Sequence, residues 1–235
     1  MKPAKKSLPK LLSPSLYDLT EGDKQRMRQE EGLGMVAPQD PILTGIARIV
    51  DPKLIKTPLV QSVIDKLFTA AGAQRATRKK GKANRTLVGL AAPQIGEPWR
   101  IAVVDTRVTV DRKNTGQLVC LINPEIIWRS RETDEAREGC FSSGPVWGLV
   151  RRPLAVKVKF FTLDGKKAER VFEGFTARIV QHEIDHMDGI RFPDRIKNDK
   201  KRHWVHTEEI PLYPENIYHW PRLCSSERWQ QFKSK

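Results

Sequence analysis

One short segment of the chain combines residue types and a spacing that suit metal chemistry: the run His182-Glu183-Ile184-Asp185-His186. Histidines four apart on a helix lie about 40° apart in projection, so both imidazoles can reach one cation. Glu183 and Asp185 flank the pair at similar angles, so helix geometry leaves open which carboxylate contacts a substrate, although Glu183 has the longer reach. The pattern indicates a metal-dependent hydrolase, with a surface helix carrying chance polar residues as the alternative.

A third ligand is needed, and Cys140 is the strongest candidate in the sequence. A thiolate is a strong ligand, and the preceding Gly139 permits a close approach of the backbone to an ion. Without the histidines, a small buried hydrophobe would be the favoured interpretation of this cysteine. Together with Cys120 and Cys224 it makes three cysteines at wide spacing. This does not indicate a disulfide framework, so we expect reduced thiols.

The histidine segment must be carried by a helix, which the sequence predicts to run from about Thr176, as N-cap, to Asp188. Gly189 follows as a stop signal, because glycine tolerates a left-handed conformation. An apolar stripe lies roughly opposite the histidines and would anchor that side in the core: Val180, Ile184 and Met187. We therefore expect a helix that is buried on both sides, with the histidines facing a cleft.

Much of the chain before this helix has the pattern of short strands. The strand-like runs are residues 101–105, 118–122, 126–128, 156–163 and 169–172. Asn123-Pro124 predicts a turn between the second and third runs, and Asp164-Gly165 predicts a hairpin between the last two. Residues 59–71 have the spacing of an amphipathic helix. Many strands and few helices favour an α+β fold, in which antiparallel strands surround a central metal-binding helix.

Composition divides the chain into three predicted parts. Residues 1–41 form a polar extension with one short helix around residues 21–31, and residues 42–195 form the compact domain. Residues 196–235 form a basic tail that contains tryptophan and proline; it has no clear period, so we assign it no fold. Within the domain, residues 74–85 carry six cations and predict a solvated basic loop.

The chain has a formal net charge of +14 over 235 residues, and a field of this sign attracts polyanions such as nucleic acid or the ribosome. A solvated basic surface without a specific ligand is the alternative. No stretch is apolar enough to span a bilayer and the N-terminus lacks a secretory signal, so we expect no membrane association and a cytoplasmic location. Residues 1–15 are rich in lysine and serine, which leaves an organellar transit segment as the alternative. The sequence does not indicate the oligomeric state.

Three motifs, in their order and separation, resemble those of the peptide deformylase family: residues 89–96 (GLAAPQIG), 138–142 (EGCFS) and 181–186 (QHEIDH). The resemblance covers roughly residues 42–195, and three coincident motifs are far more specific than a histidine pair. It implies a peptide deformylase-like fold and one divalent metal ion per chain, Fe²⁺ in the cell, with Zn²⁺, Ni²⁺ or Co²⁺ able to occupy the site. The implied metal ligands are Cys140, His182 and His186, with water as the fourth ligand.

The resemblance also implies a reaction and the residues that perform it. The family removes the N-formyl group from the N-terminal methionine of nascent polypeptides and releases formate. Glu183 would carry the proton from water to the departing amine, while the Gln94 side-chain amide and the Phe141 backbone N–H meet the developing oxyanion. The substrate would pair with the strand around Val88 and Gly89. Because the substrate emerges on the ribosome, the basic loop becomes a candidate contact with ribosomal RNA.

Three positions depart from the usual family pattern. Leu87 stands where the first motif usually begins with glycine, Phe141 replaces a more usual leucine, and Trp147 follows the second motif near the expected rim of the cleft. We expect Leu87 to alter the shape of the pocket or the position of the loop and to leave the metal chemistry intact. Two other functions are kept as alternatives: a zinc peptidase with the same histidine pair, and a basic ribosome-binding protein that retains the shell without turnover.

Overall fold

The computed structural model of the chain describes residues 17–72, 87–109 and 117–234; residues 1–15 and the basic loop at 74–85 lie outside them. Within these ranges the helices are α1 (Glu21–Gly32), α2 (Pro58–Ala70), α3 (Gly174–Met187), α4 (Tyr213–Asn216) and α5 (Ser226–Lys233). The strands are β1 (Gly89–Ala91), β2 (Ile101–Asp105), β3 (Leu118–Arg129), β4 (Thr133–Gly139), β5 (Val146–Pro153), β6 (Ala155–Phe161), β7 (Lys167–Glu173) and β8 (Arg202–Trp204). None of the helices in the described ranges has the length and apolar character needed to cross a bilayer.

The strands form two antiparallel sheets around α3. One sheet has the strand order β1-β2-β3-β6-β7, and the other has the order β4-β5-β8. β1 is therefore an edge strand of the larger sheet. α3 contacts β1, β2, β6 and β7 of the larger sheet and β5 of the smaller sheet. This arrangement confirms the predicted α+β fold, with antiparallel strands surrounding the helix that carries the histidines.

α3 begins earlier than the sequence predicted. The N-cap is Glu173 rather than Thr176, and Gly174 is the first helical residue. Gly174 has a φ of +55°, a left-handed value that glycine adopts at little cost, so β7 turns directly into the helix. Gly189 has a φ of +71°, which confirms it as the stop signal. The predicted apolar stripe is buried in one cluster with residues of β2 and β6: Val180, Ile184 and Met187.

The turn predicted at Asn123-Pro124 is wrong, because the runs on either side of it belong to one strand, β3. Asn123 has a φ of +51°, and the pairing of β3 with β6 changes register between Ile122 and Glu125. The extra residues therefore form a bulge, which bends a strand without ending it. The Asn123 side chain bonds to both backbone groups of Val50, at 2.7 Å and 2.9 Å. These bonds tie the bulge to the segment that precedes α2.

The predicted amphipathic helix and the predicted hairpin are both present. The apolar positions of α2 are buried in one core cluster: Val60, Val63, Ile64, Leu67 and Phe68. Gly165, with a φ of +79°, lies in the turn between β6 and β7. Across this turn the N–H of Thr162 donates to the Lys166 carbonyl at 2.9 Å.

β2 is buried on both faces because helices cover both sides of the larger sheet. Ile101 and Val103 pack in the cluster of α2, whereas Ala102 and Val104 pack in the cluster of α3. Successive strand residues point to opposite faces, so α2 and α3 lie on opposite sides of this strand. This packing holds α3, and with it the two histidines, against one face of the larger sheet.

The two ends of the described chain pack together. The C-terminal tail, for which the sequence predicted no fold, contains β8, α4 and α5, and β8 joins the smaller sheet through β5. The short helix predicted near the N-terminus is α1. Its buried Asp23 accepts hydrogen bonds from the N–H and the hydroxyl of Thr207, both at 2.8 Å. The division of the chain at residues 41 and 195 stays a prediction.

Candidate metal centre and active site

α3 and the end of β4 bring the three predicted metal ligands together. His182 and His186 lie about one turn apart on α3, and Cys140 follows the last residue of β4. The Sγ atom of Cys140 lies 3.4 Å from Nε2 of His186, and the Nε2 atoms of the two histidines are 3.2 Å apart. All three ligand atoms lie within 4.8 Å of one another.

These distances fit the ligands of a single tetrahedral ion. With bonds of about 2.3 Å to sulfur and about 2.0–2.1 Å to nitrogen, two ligands of one ion lie about 3.3–3.6 Å apart. The separations of 3.4 Å and 3.2 Å are close to this range. One thiolate and two imidazoles suit a transition metal such as Fe²⁺ or Zn²⁺. Three protein ligands leave a coordination position for water or substrate, as in catalytic rather than structural sites.

Glu138 orients the His182 ring by contacting Nδ1, the ring nitrogen that faces away from Cys140 and His186. Its carboxylate contacts Nδ1 of His182 at 2.9 Å and also accepts hydrogen bonds from Arg152, at 2.6 Å and 2.9 Å, and from Arg178, at 2.7 Å. Burial disfavours the charged form, but Arg152 and His182 together hold the pKa of Glu138 well below its ordinary value. An ionised Glu138 can only accept, so His182 donates from Nδ1 and keeps the Nε2 lone pair for an ion.

The structure separates the two carboxylates whose roles helix geometry left open. A cleft lies beside Cys140 and His182, and Asp185 is not among the residues that line it. Asp185 is held by arginines instead, accepting from Arg152 at 2.8 Å and from Arg195 at 2.5 Å. Glu183 lines the cleft beside His182, and no group among the described residues bonds to its buried Oε2 atom. Burial raises the pKa of Glu183 to about 7, a range suited to a proton-transfer group. Of the two carboxylates, Glu183 is therefore the one that faces the cleft.

Gln94 and Phe141 lie in the same cleft, next to Cys140. Gln94 belongs to the short 3-10 turn after β1, and its Oε1 accepts a hydrogen bond from the Ala91 N–H at 2.8 Å. This bond fixes the amide so that Nε2 donates to Ser142 Oγ at 3.2 Å and to Cys140 Sγ at 3.5 Å. Phe141 follows Cys140 directly and is buried. Both residues that were predicted to meet an oxyanion thus lie beside the candidate ligands.

β1 provides the strand edge that was predicted around Val88 and Gly89. Gly89 pairs in register with Val104 of β2, and the Asp105 N–H donates to the Val88 carbonyl at 2.8 Å. In an antiparallel pair, residues that bond to the partner strand alternate with residues that do not. Gly89 therefore directs its N–H and C=O away from β2, whereas the Val88 carbonyl is already engaged. Of the two residues, Gly89 is the one able to pair with a peptide backbone.

The charged residues that support the centre were not predicted from the sequence. Arg152 and Arg178 contact Glu138 from positions 14 and 40 residues away along the chain, where no local spacing reveals them. Arg26 and Glu30 of α1 also line the cleft. Nothing in the polar sequence of α1 indicated that this helix lies over an active site.

Leu87 and Trp147, two of the departures from the family pattern, line the cleft. Leu87 packs against the core cluster of α2, and its N–H donates to the Ala71 carbonyl at 3.0 Å. Trp147 lies against Gly139, where an added Cβ would be 2.3 Å from the indole ring. The ring also meets Tyr213 edge-on, with the ring centroids 5.7 Å apart. Gly139 therefore makes room for Trp147, which fixes the end of β4 next to Cys140.

The fold and the site together define an α+β metal-dependent hydrolase with a Cys-His-His centre, a buried carboxylate beside it and an open strand edge. The family model for polypeptide deformylase matches residues 33–202, and the chain belongs to this family. It is accordingly a hydrolase that removes the N-formyl group from nascent polypeptides.

Individual relatives agree with this assignment. A peptide deformylase of Desulforudis audaxviator is 47% identical over 115 residues, which cover 49% of this chain and 70% of that protein. A peptide deformylase of Bartonella tribocorum is 35% identical over 167 residues, which cover 71% of this chain and 85% of that protein. The Met-Ala-Ser-bound class I type b peptide deformylase of Acinetobacter baumannii has a similar structure, with a TM-score of 0.58 and 34% identity. That match covers 69% of this chain and 96% of the other.

Proposed function

We propose that Cys140, His182 and His186 hold one divalent ion for this hydrolysis, and that the ion in the cell is Fe²⁺, with Zn²⁺, Ni²⁺ or Co²⁺ able to replace it. The observation that carries the proposal is the position of His186 Nε2, which lies 3.4 Å from the Cys140 sulfur and 3.2 Å from His182 Nε2. All three ligand atoms lie within 4.8 Å of one another, and Glu183 lines the same cleft. When bound, such an ion lowers the pKa of a water molecule, so that the water can attack a formyl carbon near neutral pH.

The remaining chemistry belongs to side chains and backbone. Glu183 takes a proton from the attacking water and delivers it to the departing amine. As charge develops on the formyl oxygen, the Gln94 amide and the Phe141 backbone N–H donate to it. Gln94 is already fixed by its bond to Ala91, so little reorganisation accompanies the reaction. The water oxygen bonds to the formyl carbon and the C–N bond breaks, which gives formate and a peptide with a free amino terminus.

The substrate is an extended peptide that begins with formylmethionine. Its backbone pairs with Gly89 at the open edge of β1, and the methionine side chain packs against the apolar wall formed by Val88, Phe175 and Ile179. Backbone pairing accepts varied side chains after the methionine. The Met-Ala-Ser bound to the Acinetobacter baumannii relative supports this substrate class.

The cellular setting follows from the substrate and from the charge. A net charge of +14 favours association with ribosomal RNA, and we place the enzyme in the cytoplasm beside emerging chains. Co-sedimentation with ribosomes should weaken as salt concentration rises. Co-sedimentation that does not depend on salt would contradict an electrostatic contact.

The decisive test is to load the metal-free protein with Fe²⁺, Co²⁺, Ni²⁺ or Zn²⁺ in turn and to measure formate release from formyl-methionyl peptides. We expect release with a bound ion and none from the metal-free protein. The same samples should not cleave unformylated peptides, which a zinc peptidase would do. No release with any ion would contradict the proposal.

Gly89→Ala is expected to lower kcat/KM for formyl-methionyl peptides by about 100-fold, because even a 1 Å misplacement can cost this much. An added Cβ would lie 2.4 Å from Oε1 of Glu183 and 2.7 Å from Cγ2 of Ile179, so the carboxylate must move. Metal content should stay unchanged. Gly32→Ala is the matched control, since a Cβ there meets nothing within 4 Å. Wild-type activity in Gly89→Ala would refute the predicted displacement of Glu183.

A further inference from the structure

A second chamber adjoins the active-site cleft, and segments outside the family match form one side of it. α1 contributes to this side together with residues 207–211, and both lie beyond the matched residues 33–202. β4 and the start of α3 form the opposite side, through Asp134, Ala136 and Gly174. The chamber has a volume of about 1220 Å³, compared with about 190 Å³ for the cleft itself. The extensions of this chain therefore add a wall to this half-open chamber, and the matched segment alone does not provide that wall.

The chamber is continuous with the cleft. Arg137, Gly139, Trp147 and Phe175 line both. From Cys140 the chain runs back along β4 through Gly139 to Arg137, which leads from the candidate ligands into the chamber. Three strand residues at about 3.3 Å each span about 10 Å, the length of three extended residues of a bound peptide. A peptide whose formyl group lies at the ligands and that extends alongside β4 therefore passes Arg137 after about three residues and continues into the chamber with its fourth.

α1 is anchored on both sides of the chamber. Asp23, 4% exposed, accepts two hydrogen bonds from Thr207 at 2.8 Å. The Thr20 hydroxyl adds a bond to the Glu208 carboxylate at 3.1 Å. Beyond the other end of α1, Met35 is buried in the core cluster of α2. These contacts hold the middle of the helix across the chamber as a fixed wall.

The middle of α1 presents amide side chains to the chamber. Gln25 and Gln29 lie four residues apart on one helix face; both line the chamber and neither lines the cleft. Each side-chain amide can donate and accept, so this pair can bond to a peptide backbone whatever side chains the peptide carries.

We propose that this chamber binds the fourth and following residues of the formylated nascent peptide through their backbone, an inference that rests on the deformylation proposed above. The chamber is lined by amides and charged groups together with apolar side chains such as Trp147, Phe175 and Ile210. The amides can bond to the backbone of an extended peptide, and the apolar groups can pack against its varied side chains. The two extensions thereby lengthen the substrate site of this enzyme beyond the short strand edge of β1.

The test compares kcat/KM of the metal-loaded enzyme for formyl-Met-Ala-Ser and for a formylated hexapeptide that begins with the same three residues. We expect the wild-type enzyme to favour the hexapeptide at least fivefold. Gln29→Trp places a bulky ring in the chamber and should remove this preference, while kcat/KM for the tripeptide stays within twofold. Gln231→Trp makes the same substitution at an exposed position of α5 outside the chamber and should change neither value.

Equal kcat/KM for the two peptides in the wild-type enzyme would overturn the chamber proposal and leave deformylation intact. An equal loss for both peptides in Gln29→Trp, with an unchanged Tm, would do the same. If Gln29→Trp lowers the Tm, the smaller double change Gln25→Ala with Gln29→Ala decides: we expect it to reduce the hexapeptide preference, and an undiminished preference overturns the proposal. No formate from either peptide with metal-loaded wild-type enzyme would instead refute the proposed function.

Discussion

Glu183→Gln is expected to lower kcat/KM for formyl-methionyl peptides by about 10²–10⁴-fold, the usual contribution of a positioned acid/base group. The amide has nearly the shape of the carboxylate but cannot take a proton from water. The three proposed metal ligands are untouched, so the variant should still bind one ion per chain. Formate release and elemental analysis of the purified protein measure the two quantities separately.

Glu125→Gln is the matched control for this substitution. Glu125 lies on β3 and pairs with Lys159 at 2.9 Å, with both side chains about half exposed. Exposed ion pairs contribute about 0–1 kcal/mol to stability, so neither activity nor metal content should change. A Glu183→Gln enzyme that kept more than about a tenth of wild-type activity would fall outside the range for an acid/base group and would remove Glu183 from the mechanism.

The pH dependence of the Tm of the metal-free protein tests whether folding raises the pKa of Glu183. Burial raises the pKa of Glu183 from its ordinary 4.5 to about 7, so folding favours the protonated form. The stabilisation from this group is present below the unfolded pKa and is lost as pH rises through the folded value. Raising the pH from about 5 to about 8 should therefore lower the Tm of the metal-free wild-type protein more than that of Glu183→Gln.

The two histidines of the candidate centre could be predicted from the sequence because their signal is local. His182 and His186 can be recognised from the spacing of one helical turn alone. The first residue of α3 cannot be located from that spacing. The prediction placed Thr176 at the N-cap by its side chain, whereas the positive φ of Gly174 decides where the helix begins. A glycine that joins a strand directly to a helix carries no capping signal, so the sequence favoured the nearest capping side chain.

The support of the centre could not be predicted because it depends on contacts between distant elements. Glu138 meets Arg152 across the β4–β5 pair and His182 across 44 positions of sequence. The position of α1 depends on a still longer contact, between Asp23 and Thr207, 184 positions apart. Hydrophobic period reveals which side of an element is buried, but it does not reveal which polar residue will pair with which.

The fold of the C-terminal tail could not be predicted from the sequence for a related reason. Its elements are short, and each buries isolated aromatic side chains rather than a periodic face: Trp204 on β8, Tyr213 on α4, and Trp229 and Phe232 on α5. A period cannot be read from a three-residue strand or a four-residue helix. Their burial becomes visible only when β8 pairs with β5 and brings Trp204 against Val146 and the residues of α5.

Cys140→Ala is expected to reduce the bound metal to well below one ion per chain and to abolish measurable formate release. Cys140 is the proposed ligand that follows β4, whereas both histidines come from α3, so the variant would hold the ion through α3 alone. Loss of a partner that merely supports a ligand costs about 10–100-fold in metal affinity, so loss of the ligand itself should cost more than about 100-fold. Dialysis against a chelator followed by elemental analysis and a formate assay measures both effects.

Cys224→Ala makes the same substitution at a thiol that should not bind the ion. Cys224 is buried in the tail, and burial raises its pKa to about 11, so it stays a protonated thiol, whereas the thiolate is the form that binds metal. This variant should keep one ion per chain. A Cys140→Ala protein that retained its ion would contradict the proposed role of Cys140 as a ligand, because Cys140 would then serve only to pack the end of β4.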